Sequence, residues 1–522
     1  MKLFALTLAL FTAASQLSIG STQGIFDLIA NFRELKNNLF ACNVGGSSHI
    51  VWVLEILEEL AVRGHYVSFY TREDQAKFIK NYPSVELALS GPPVFQPGEF
   101  RPIIEEMIEM GPLEKALFMM EKFSTNYTDE YYKFHKTIDQ KKIVVVMCDY
   151  LNMACVETKS AKIPSIITAT MVMGPDVSAP YINTDFLILV DRVINPLRYY
   201  IGALLFVKQF IQEQTSLGSE PKLSMVNFAF GFEFPRPMGP LVELIDPIVP
   251  QTYSILNDKL QTFLDHRRKV VYVAFGQLIV PKPSEIKLIL TALLENMETK
   301  HIDGIIWSTL GIQEHFPDII NTRTNTTYDI NSFFTNPADN SNIAFVNWAP
   351  QVAILHHPST CLFLTHGGAG TLYESMHAAV PIAVFPYFSD QPATAISAEE
   401  HGTGRWFKRT LSQDQATDLI KEIIDDTAGK YRHNIGRFKA LVQIRNAHCK
   451  QCGADLVEVI FTHVNGKFLF FKAYNLDIYS FVLVSVIAFA YGIYRFAFVL
   501  YRMAFNTVSV PRMALDKKLK AN

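Results

Sequence analysis

The chain has 522 residues, with 47 Lys and Arg against 50 Asp and Glu and a formal net charge of −3. This length allows about two to three domains, and the balanced charge does not indicate a nucleic-acid-binding surface. The hydrophobic share of 49%, with 39 Phe, is high for a soluble enzyme, so part of the chain is expected to face lipid.

The N-terminus has the layout of a cleaved secretory signal. Lys2 precedes an apolar run over residues 3–11, and small residues follow at 13–15. This order of charge, apolar run and small residues is typical of signal peptides. Residues 1–20 are therefore predicted to be a signal peptide.

The first half then alternates strand-like and helix-like segments. Strands are predicted over residues 39–44, 66–71 and 143–148. A helix is predicted over residues 48–63, with Ser47 or Ser48 as its N-cap.

Residues 186–211 do not follow this alternation. They are rich in Leu, Ile, Phe and Tyr but carry four charged residues. The sequence leaves three alternatives open for this segment: it lies against a membrane surface, it covers an apolar pocket, or it forms a buried helical pair.

The second half starts the alternation again. Its predicted strands are residues 270–275, 302–307, 343–346, 361–364 and 382–385, with helical patterns between them. Alternation of this kind indicates parallel sheets covered by helices. The predicted fold class is α/β, with two Rossmann-like domains and a boundary in the proline-rich region 234–250.

The predicted strand 361–364 ends in the turn Thr365-His366-Gly367-Gly368, and a helix is expected over residues 369–377. Such a turn points backbone N–H groups outward at the positive end of a helix dipole, where a diphosphate is stabilised. His366 can add a side-chain donor. Taken alone, the pattern is more often an ordinary strand-to-helix turn.

A second apolar segment lies near the C-terminus. Residues 478–494 lack charge and are followed by a tail rich in Lys and Arg. The length fits one membrane span, and the basic tail predicts a cytosolic C-terminus with the body of the chain in the lumen. Lysines fifth and third from the end, Lys518 and Lys520, resemble a dilysine signal for retrieval to the endoplasmic reticulum.

Two further patterns bear on the compartment. Asn126 and Asn325 each begin an Asn-X-Thr sequon, which is compatible with a lumenal body. Cys449 and Cys452 form a CxxC without a second pair, so a zinc site is not expected, and a local disulfide or two thiols remain open.

The stretch 347–391 carries a dense set of motif residues. They are Trp348, Pro350, Gln351, His357-Pro358, Thr365-His366-Gly367-Gly368, Gly370, Glu374, Pro381, Pro386 and Asp390-Gln391. Their order and spacing resemble the donor-binding signature of the UDP-glycosyltransferases, and the chain is similar to the membrane-anchored UDP-glucuronosyltransferases. The resemblance implies the GT-B architecture, in which two Rossmann-like domains face each other across a cleft.

The resemblance also implies roles for these residues. Trp348 would stack on uracil, and Gln351 would bond the ribose or base. His366 with Gly367, Gly368, Gly370 and Thr371 would hold the diphosphate. Glu374 would accept hydrogen bonds from the ribose hydroxyls, and Asp390 and Gln391 would hold the sugar.

On the acceptor side, His49 matches the position of the family's catalytic base. It opens a helix after a glycine-rich turn, and the helix N-terminus is expected to keep its imidazole neutral. Asp149, directly after the strand 143–148, matches the aspartate that steadies the proton taken up by the base.

Three positions depart from the family pattern. Gln277 stands where Ser or Thr is common, Ser308 where many animal members have Arg, and Thr394 where Asn is common. The donor sugar is therefore left open between glucuronic acid and glucose.

The sequence thus predicts an inverting UDP-dependent glycosyltransferase acting on small lipophilic acceptors. The expected divisions are an acceptor domain at 21–245, a UDP-sugar domain at 246–450, a helical connection at 451–475, a transmembrane helix at 476–500 and a basic cytosolic tail at 501–522. No metal, cofactor or nucleic acid is expected, with UDP-sugar as co-substrate, and a homo-oligomer stays open. The alternatives are a catalytically silent UDP-sugar-binding subunit and a UDP-sugar epimerase or hydrolase of the same fold.

Overall fold

A computed structural model describes residues 34–93, 102–103, 106–107, 110, 118, 127–152, 163–170, 223–228, 231–232, 242–250, 253–277, 279–335, 342–387, 390–462, 486, 489–498 and 501. The predicted signal peptide, the stretch 186–211, Asn126 and most of the predicted span and tail lie outside these residues.

The first half forms a seven-stranded parallel sheet with the order β3-β2-β1-β4-β5-β6-β7. Its strands are β1 Asn37–Ala41, β2 Tyr66–Arg72, β3 Glu86–Gly91, β4 Val145–Asp149, β5 Ser165–Ala169, β6 Leu223–Asn227 and β7 Val242–Ile245. Its helices are α1 Ser47–Val62 and α2 Tyr127–Lys141. The three predicted strands and the predicted helix are confirmed, whereas β3, β5, β6 and β7 were not predicted because polar residues interrupt their short apolar patterns.

The second half forms a six-stranded parallel sheet with the order β12-β9-β8-β13-β14-β15. Its strands are β8 Val270–Ala274, β9 Gly304–Ser308, β12 Ile343–Val346, β13 Thr360–Thr365, β14 Ile382–Val384 and β15 Gly404–Trp406, and a separate hairpin pairs β10 Ile319–Asn321 with β11 Thr327–Asp329. All five predicted strands are confirmed.

Helices connect the strands of the second half and cover its sheet. They are α3 Asp258–Asp265, α4 Pro283–Glu298, α5 Ile330–Thr335, α6 Gln351–His356, α7 Ala369–Ala378, α8 Gln391–Glu400, α9 Gln413–Asp425 and α10 Lys430–Thr462. Buried apolar clusters lie on this sheet, and its inner strands β8, β9 and β14 are buried at every residue. Burial on both faces explains why these strands read as continuous apolar runs.

Each sheet has one place where its strand order reverses. In the first sheet β1 lies between β2 and β4, and in the second β8 lies between β9 and β13. In each sheet, the segments that follow the two strands at the reversal, β1 and β4 or β8 and β13, leave toward opposite faces of the sheet. A crevice therefore opens at the carboxyl ends of each pair. Ligands bind at such positions in open α/β sheets.

The long helix α10 returns from the second half to the first. Arg63, just after α1, donates hydrogen bonds to Asp455 at 2.6 Å and to Glu458 at 2.8 Å, both on α10. Gly453 lies so close to α1 that a Cβ added to it would stand 2.5 Å from Cδ1 of Ile56. The predicted change from domain to connecting helix at residue 450 falls inside this continuous helix.

Residues 467–522 belong to a second compact unit. Within it, residues 489–498 are helical. The exposed large hydrophobic side chains among its described residues are Val486, Phe489, Tyr491, Ile493, Tyr494, Phe496, Phe498 and Tyr501. Among the described residues, no helix has both the length and the apolar content needed for a membrane crossing.

The contact between Gly453 and Ile56 predicts opposite effects for the same substitution at two places in α10. A Cβ at Gly436 would meet no atom within 4 Å. Gly436→Ala should therefore raise the free energy of unfolding by about 0.5–1 kcal/mol, because alanine restricts the unfolded chain and favours helix. Gly453→Ala should lower the free energy of unfolding by about 1–2 kcal/mol, because the added methyl group would collide with Ile56 and push α10 away from α1. Equal effects of the two substitutions in chemical denaturation would show that α10 does not pack closely on α1.

Candidate active site

A histidine and a carboxylate meet where the strand order of the first sheet reverses. His49 lies in the first turn of α1, after β1, and Asp149 ends the neighbouring strand β4. Nδ1 of His49 is 2.9 Å from Oδ2 of Asp149, which is 1% exposed. Oδ1 of Asp149 accepts a hydrogen bond from the N–H of Leu151 at 3.0 Å. With Nδ1 donating to Asp149, a neutral His49 ring keeps its lone pair on Nε2.

The glycine turn before α1 holds the His49 ring by close contact. Gly45 has φ +123°, and a Cβ there would lie 2.5 Å from Cγ of His49, so the turn requires glycine. Gly46, with φ 69°, is the N-cap, and no side chain caps the helix. The predicted serine cap is therefore wrong, because the chain enters α1 through a left-handed backbone at Gly46.

Tyr150 covers the His49 ring from another side and was not predicted. The two ring centroids are 5.4 Å apart, and the ring planes meet at 36°. Burial, followed by the charges of Asp149 and Asp390, raises the pKa of Tyr150 well above its ordinary value. The only sequence signal for this residue was its position directly after Asp149.

The charges around His49 act against the predicted effect of the helix end. Burial is the largest single influence and lowers the pKa of His49. Asp149, through its charge and its hydrogen bond, and then Asp390 together outweigh burial and raise this pKa above 6.5. Two carboxylates thus stabilise the imidazolium, an influence that the prediction from the helix N-terminus did not include.

On the facing domain, His366 lies between two glycines. A Cβ on Gly276, after β8, would be 2.8 Å from Cε1 of His366, and a Cβ on Gly368 would be 2.6 Å from its Nε2. Gly276 has φ +72° and Gly367 has φ +86°, both left-handed conformations that favour glycine. Burial lowers the pKa of His366 to about 4, so its ring is neutral at physiological pH.

The helix α7 begins directly after this turn. Gly368 is its N-cap, with no side-chain cap, and Gly370 and Thr371 lie in its first turn. The unpaired N–H groups of a helix start and the positive end of its dipole together favour an anion. This is the position predicted for the diphosphate.

Trp348 lies just before α6, Gln351 begins α6 and Glu374 lies on the neighbouring helix α7. Trp348 is 63% exposed, just before α6, so its ring is available for stacking. Nε2 of Gln351, at the start of α6, donates to Oε2 of Glu374 on α7 at 2.6 Å. Burial raises the pKa of Glu374 to about 7, although Gln351 opposes the shift. Side chains predicted for the nucleotide are thus joined by a direct hydrogen bond.

Asp390 and Gln391 lie at the start of α8, beyond β14. Oδ2 of Asp390 accepts a hydrogen bond from the N–H of Ala369, the first residue of α7, at 3.2 Å. Burial raises the pKa of Asp390 to about 6, against the attraction of His49. Gln391 is buried, and its Oε1 accepts a hydrogen bond from the N–H of Tyr387 at 2.8 Å. Asp390 thus faces the site, whereas the amide oxygen of Gln391 holds the preceding loop.

The two domains approach closely at this site. A Cβ on Gly370 would lie 3.4 Å from Cβ of Ser48, at the start of α1. Oε1 of Gln277, after β8, is 3.6 Å from the position of a Cβ on Gly46. The starts of α1 and α7 therefore face each other, and the electrostatic effect of Asp390 on His49 crosses between the domains.

Within the described part of the chain, no group of three or more His, Cys, Asp or Glu side chains is arranged to hold a metal ion. The groups gathered at the cleft are a base with its carboxylate partner, a helix start suited to an anion, and an exposed indole. This set can take a proton from a hydroxyl and stabilise a phosphorylated leaving group.

Comparison with known proteins places the chain among glycosyltransferases. A family model described as UDP-glucoronosyl and UDP-glucosyl transferase matches residues 203–510. A UDP-glycosyltransferase of Talaromyces amestolkiae is 27% identical over 358 residues, covering 62% of this chain and 67% of that protein. UDP-glucuronosyltransferase 2B33 of Macaca mulatta is 22% identical over 497 residues, covering 84% of this chain and 88% of that protein.

Solved structures share the fold. The glycotransferase of kitacinnamycin matches with a TM-score of 0.58 at 18% identity, covering 82% of this chain and 100% of that chain. A UDP-glucose: anthocyanidin 3-O-glucosyltransferase in complex with UDP matches with a TM-score of 0.55 at 17% identity, covering 82% of this chain and 100% of that chain. The predicted GT-B arrangement of two parallel sheets is confirmed.

The raised pKa of Glu374 predicts a pH-dependent stability difference. A carboxyl whose pKa rises from 4.5 to about 7 on folding costs stability as pH increases through that interval, because the folded protein holds the proton more tightly. Glu374→Gln lacks this titration and can still accept the hydrogen bond from Gln351. Its free energy of unfolding relative to wild type should therefore increase by about 1–3 kcal/mol between pH 5 and pH 8.

Urea denaturation of both proteins across this pH range measures the difference. Every other titrating group is shared, so the difference isolates Glu374. A difference that stays constant with pH would contradict a buried, destabilised carboxylate at this position.

Proposed function

The chain belongs to the UDP-glucoronosyl and UDP-glucosyl transferase family and is a UDP-glycosyltransferase; we propose that it moves a hexose from a UDP-sugar to a hydroxyl of a small lipophilic acceptor, with inversion at the anomeric carbon. The observation that carries this proposal is the pairing of His49 with Asp149 opposite the start of α7. A base and an anion site face each other there, as a single displacement requires.

In this proposal the donor lies along the second domain. The uracil stacks on the exposed ring of Trp348, and Glu374 accepts hydrogen bonds from the ribose hydroxyls in place of Gln351. The diphosphate meets the N–H groups of Gly370 and Thr371 in the first turn of α7, and the neutral ring of His366. Asp390, which is beside the first residue of α7, then binds hydroxyls of the sugar.

The reaction is a proton transfer coupled to one displacement. Nε2 of His49 takes the proton of the acceptor hydroxyl while that oxygen attacks the anomeric carbon. The bond from this carbon to the diphosphate breaks, and UDP leaves with the electron pair, stabilised by the start of α7. Asp149 stabilises the imidazolium that forms, so its charge matters most when the proton is transferred.

Glucose is the first candidate for the donor sugar. Many animal members of the family have Arg at the position of Ser308, and Ser308 is a buried hydroxyl at the end of β9. No cation therefore comes from this position to pair with the carboxylate of glucuronic acid. UDP-glucuronic acid is the alternative donor.

We further propose that the enzyme is anchored in the endoplasmic reticulum membrane with its two domains in the lumen. Support comes from the sequence: the apolar C-terminal segment, the basic tail and the terminal lysines. The exposed aromatic and aliphatic side chains of the helix 489–498 suit contact with lipid. A lipophilic acceptor would then be taken from the adjoining bilayer.

Replacement of His49 separates catalysis from donor binding. His49→Ala should lower kcat by at least about 10²-fold, because the acceptor proton loses its base, while the Kd for UDP stays within about twofold. Product formation from UDP-glucose and from UDP-glucuronic acid, with a mixed library of lipophilic alcohols and phenols, measures the first effect. Calorimetry with UDP measures the second.

The pH dependence and a second variant sharpen this test. In wild type the transfer rate should fall as pH drops through the raised pKa of His49, because the base becomes protonated. Asp149→Asn should move this fall to lower pH and reduce kcat. Transfer that survives His49→Ala would refute the base assignment, and UDP binding without transfer in wild type would favour the catalytically silent subunit.

The lumenal orientation predicts a glycan at Asn325. This residue is exposed at the tip of the β10–β11 hairpin with φ +62°, and Thr327 completes its sequon. In a background where Asn126→Gln removes the other sequon, peptide N-glycosidase should shift the membrane-expressed protein by the mass of one glycan. Asn325→Gln and Thr327→Ala should each abolish the shift. An unmodified Asn325 and Asn126 in the full chain would contradict lumenal domains.

A further inference from the structure

The segment between β14 and α8 delivers Asp390 to the site, and its packing is unusual. Phe385 is fully buried and Tyr387 is 5% exposed, although both lie outside regular secondary structure. The segment ends where Asp390 accepts the hydrogen bond from Ala369. Its conformation therefore decides where the carboxylate of Asp390 lies relative to α7.

A single arginine contacts both aromatic rings. The guanidinium carbon of Arg409, which follows β15, is 4.3 Å from the ring centroid of Tyr387 and 4.9 Å from that of Phe385. A planar guanidinium stacks on aromatic faces, and the attraction increases when the ring and the cation are withdrawn from water. Arg409 thus covers this aromatic pair.

Glu285 closes the arrangement into a ring of contacts. Nε of Arg409 donates to Oε1 of Glu285 at 2.6 Å, and the hydroxyl of Tyr387 donates to Oε2 of Glu285 at 2.9 Å. Oε2 also accepts a hydrogen bond from the N–H of Lys282 at 2.9 Å, at the start of α4. Because Glu285 is buried in the first turn of α4, the anchor of the cluster is a rigid helix end.

The cluster is linked to the predicted sugar-binding residues through one more bond. The N–H of Tyr387 donates to Oε1 of Gln391 at 2.8 Å, which fixes the loop on the side of α8. Arg409, Glu285 and Tyr387 therefore contact each other on the side of α4, whereas Asp390 contacts the start of α7 at the site.

We infer that Arg409, with Glu285 and Tyr387, is a positioning network that fixes Phe385 and Tyr387 ahead of Asp390 and Gln391, and so governs use of the sugar part of the donor while leaving its nucleotide part unaffected. The inference rests on the proposed role of Asp390 in binding the sugar. It separates two parts of one ligand because the described contacts of Arg409 and Glu285 are with Phe385, Tyr387, Lys282 and each other. Trp348, in contrast, precedes α6, and Glu374 lies on α7.

The chain offers a matched control for Arg409. Arg405 is a neighbour in sequence, its side chain is 35% exposed against 37% for Arg409, and it also pairs with glutamates of its own domain. Its partners are Glu399 and Glu422, which lie away from the loop on α8 and α9. The two arginines are equally exposed, but Glu285 is more buried than Glu399 and Glu422, so the free energy of unfolding of each variant is measured beside its kinetics to separate destabilisation from positioning.

Arg409→Gln and Arg405→Gln are compared in the full-length protein. Arg409→Gln should lower kcat/KM for UDP-glucose by about tenfold or more, because a small displacement of Asp390 misplaces the sugar, while the Kd for UDP changes by less than about twofold. Arg405→Gln should leave both values within about twofold. Arg409→Lys should recover part of the loss, because it keeps the cation over the rings but not the planar donor to Glu285.

Amide hydrogen exchange gives a readout that does not depend on activity. Peptides covering residues 385–391 should exchange faster in Arg409→Gln than in Arg405→Gln. Equal exchange and equal kinetics in the two variants would overturn the positioning role, even with full transfer activity in wild type. If wild type binds UDP but transfers no sugar, the proposed function fails. The positioning role is then tested without turnover: Arg409→Gln should show faster exchange and weaker binding of UDP-glucose, with an unchanged Kd for UDP.

Discussion

The close approach of two helix starts is the constraint on which the rest of the site depends. α1 and α7 begin at the points where each sheet reverses its strand order, and Ser48 and Gly370 meet between them. A side chain at Gly45 would displace the ring of His49, and one at Gly276 or Gly368 would displace the ring of His366. A side chain at Gly370 would press on Ser48 and separate the two helices, so backbone atoms form both walls of the cleft. Both helices also direct their positive dipole ends toward the same space.

Burial and the carboxylates themselves explain the unusual titration of the site. Asp149 is buried beside His49, and burial holds the pKa of Asp390 at about 6 and that of Glu374 at about 7. The pKa of His49 is raised by one carboxylate from each domain, Asp149 and Asp390. A dianionic diphosphate at the start of α7 would lie beside Asp390, so donor binding and the protonation of Asp390 and His49 are electrostatically coupled.

Positions distant from the cleft maintain its geometry. The helix α10 packs against α1 through Gly453 and binds Arg63 through Asp455 and Glu458, so the helix that carries His49 is held by the far end of the chain. On the other side, Arg409 holds the loop of Asp390. His49 and Asp390, the proposed base and sugar-binding group, are therefore each held by contacts outside the cleft, as a site built on precise distances requires.

The sequence by itself determined the α/β class, the two sheets and most inner strands, because strands buried on both faces must be continuously apolar. The resemblance of its motifs to the UDP-glycosyltransferases also pointed to His49, Asp149 and the motif residues from Trp348 to Gln391, because such motifs are read from residues close together in the sequence. Only the tertiary structure revealed the glycine cap of α1, the ring of Tyr150, the raised pKa of His49 and the cluster of Arg409 with Glu285. Most of these features depend on residues as distant in the sequence as His49 and Asp390 meeting in space, and on the balance of burial against charge at that meeting, neither of which a local pattern encodes.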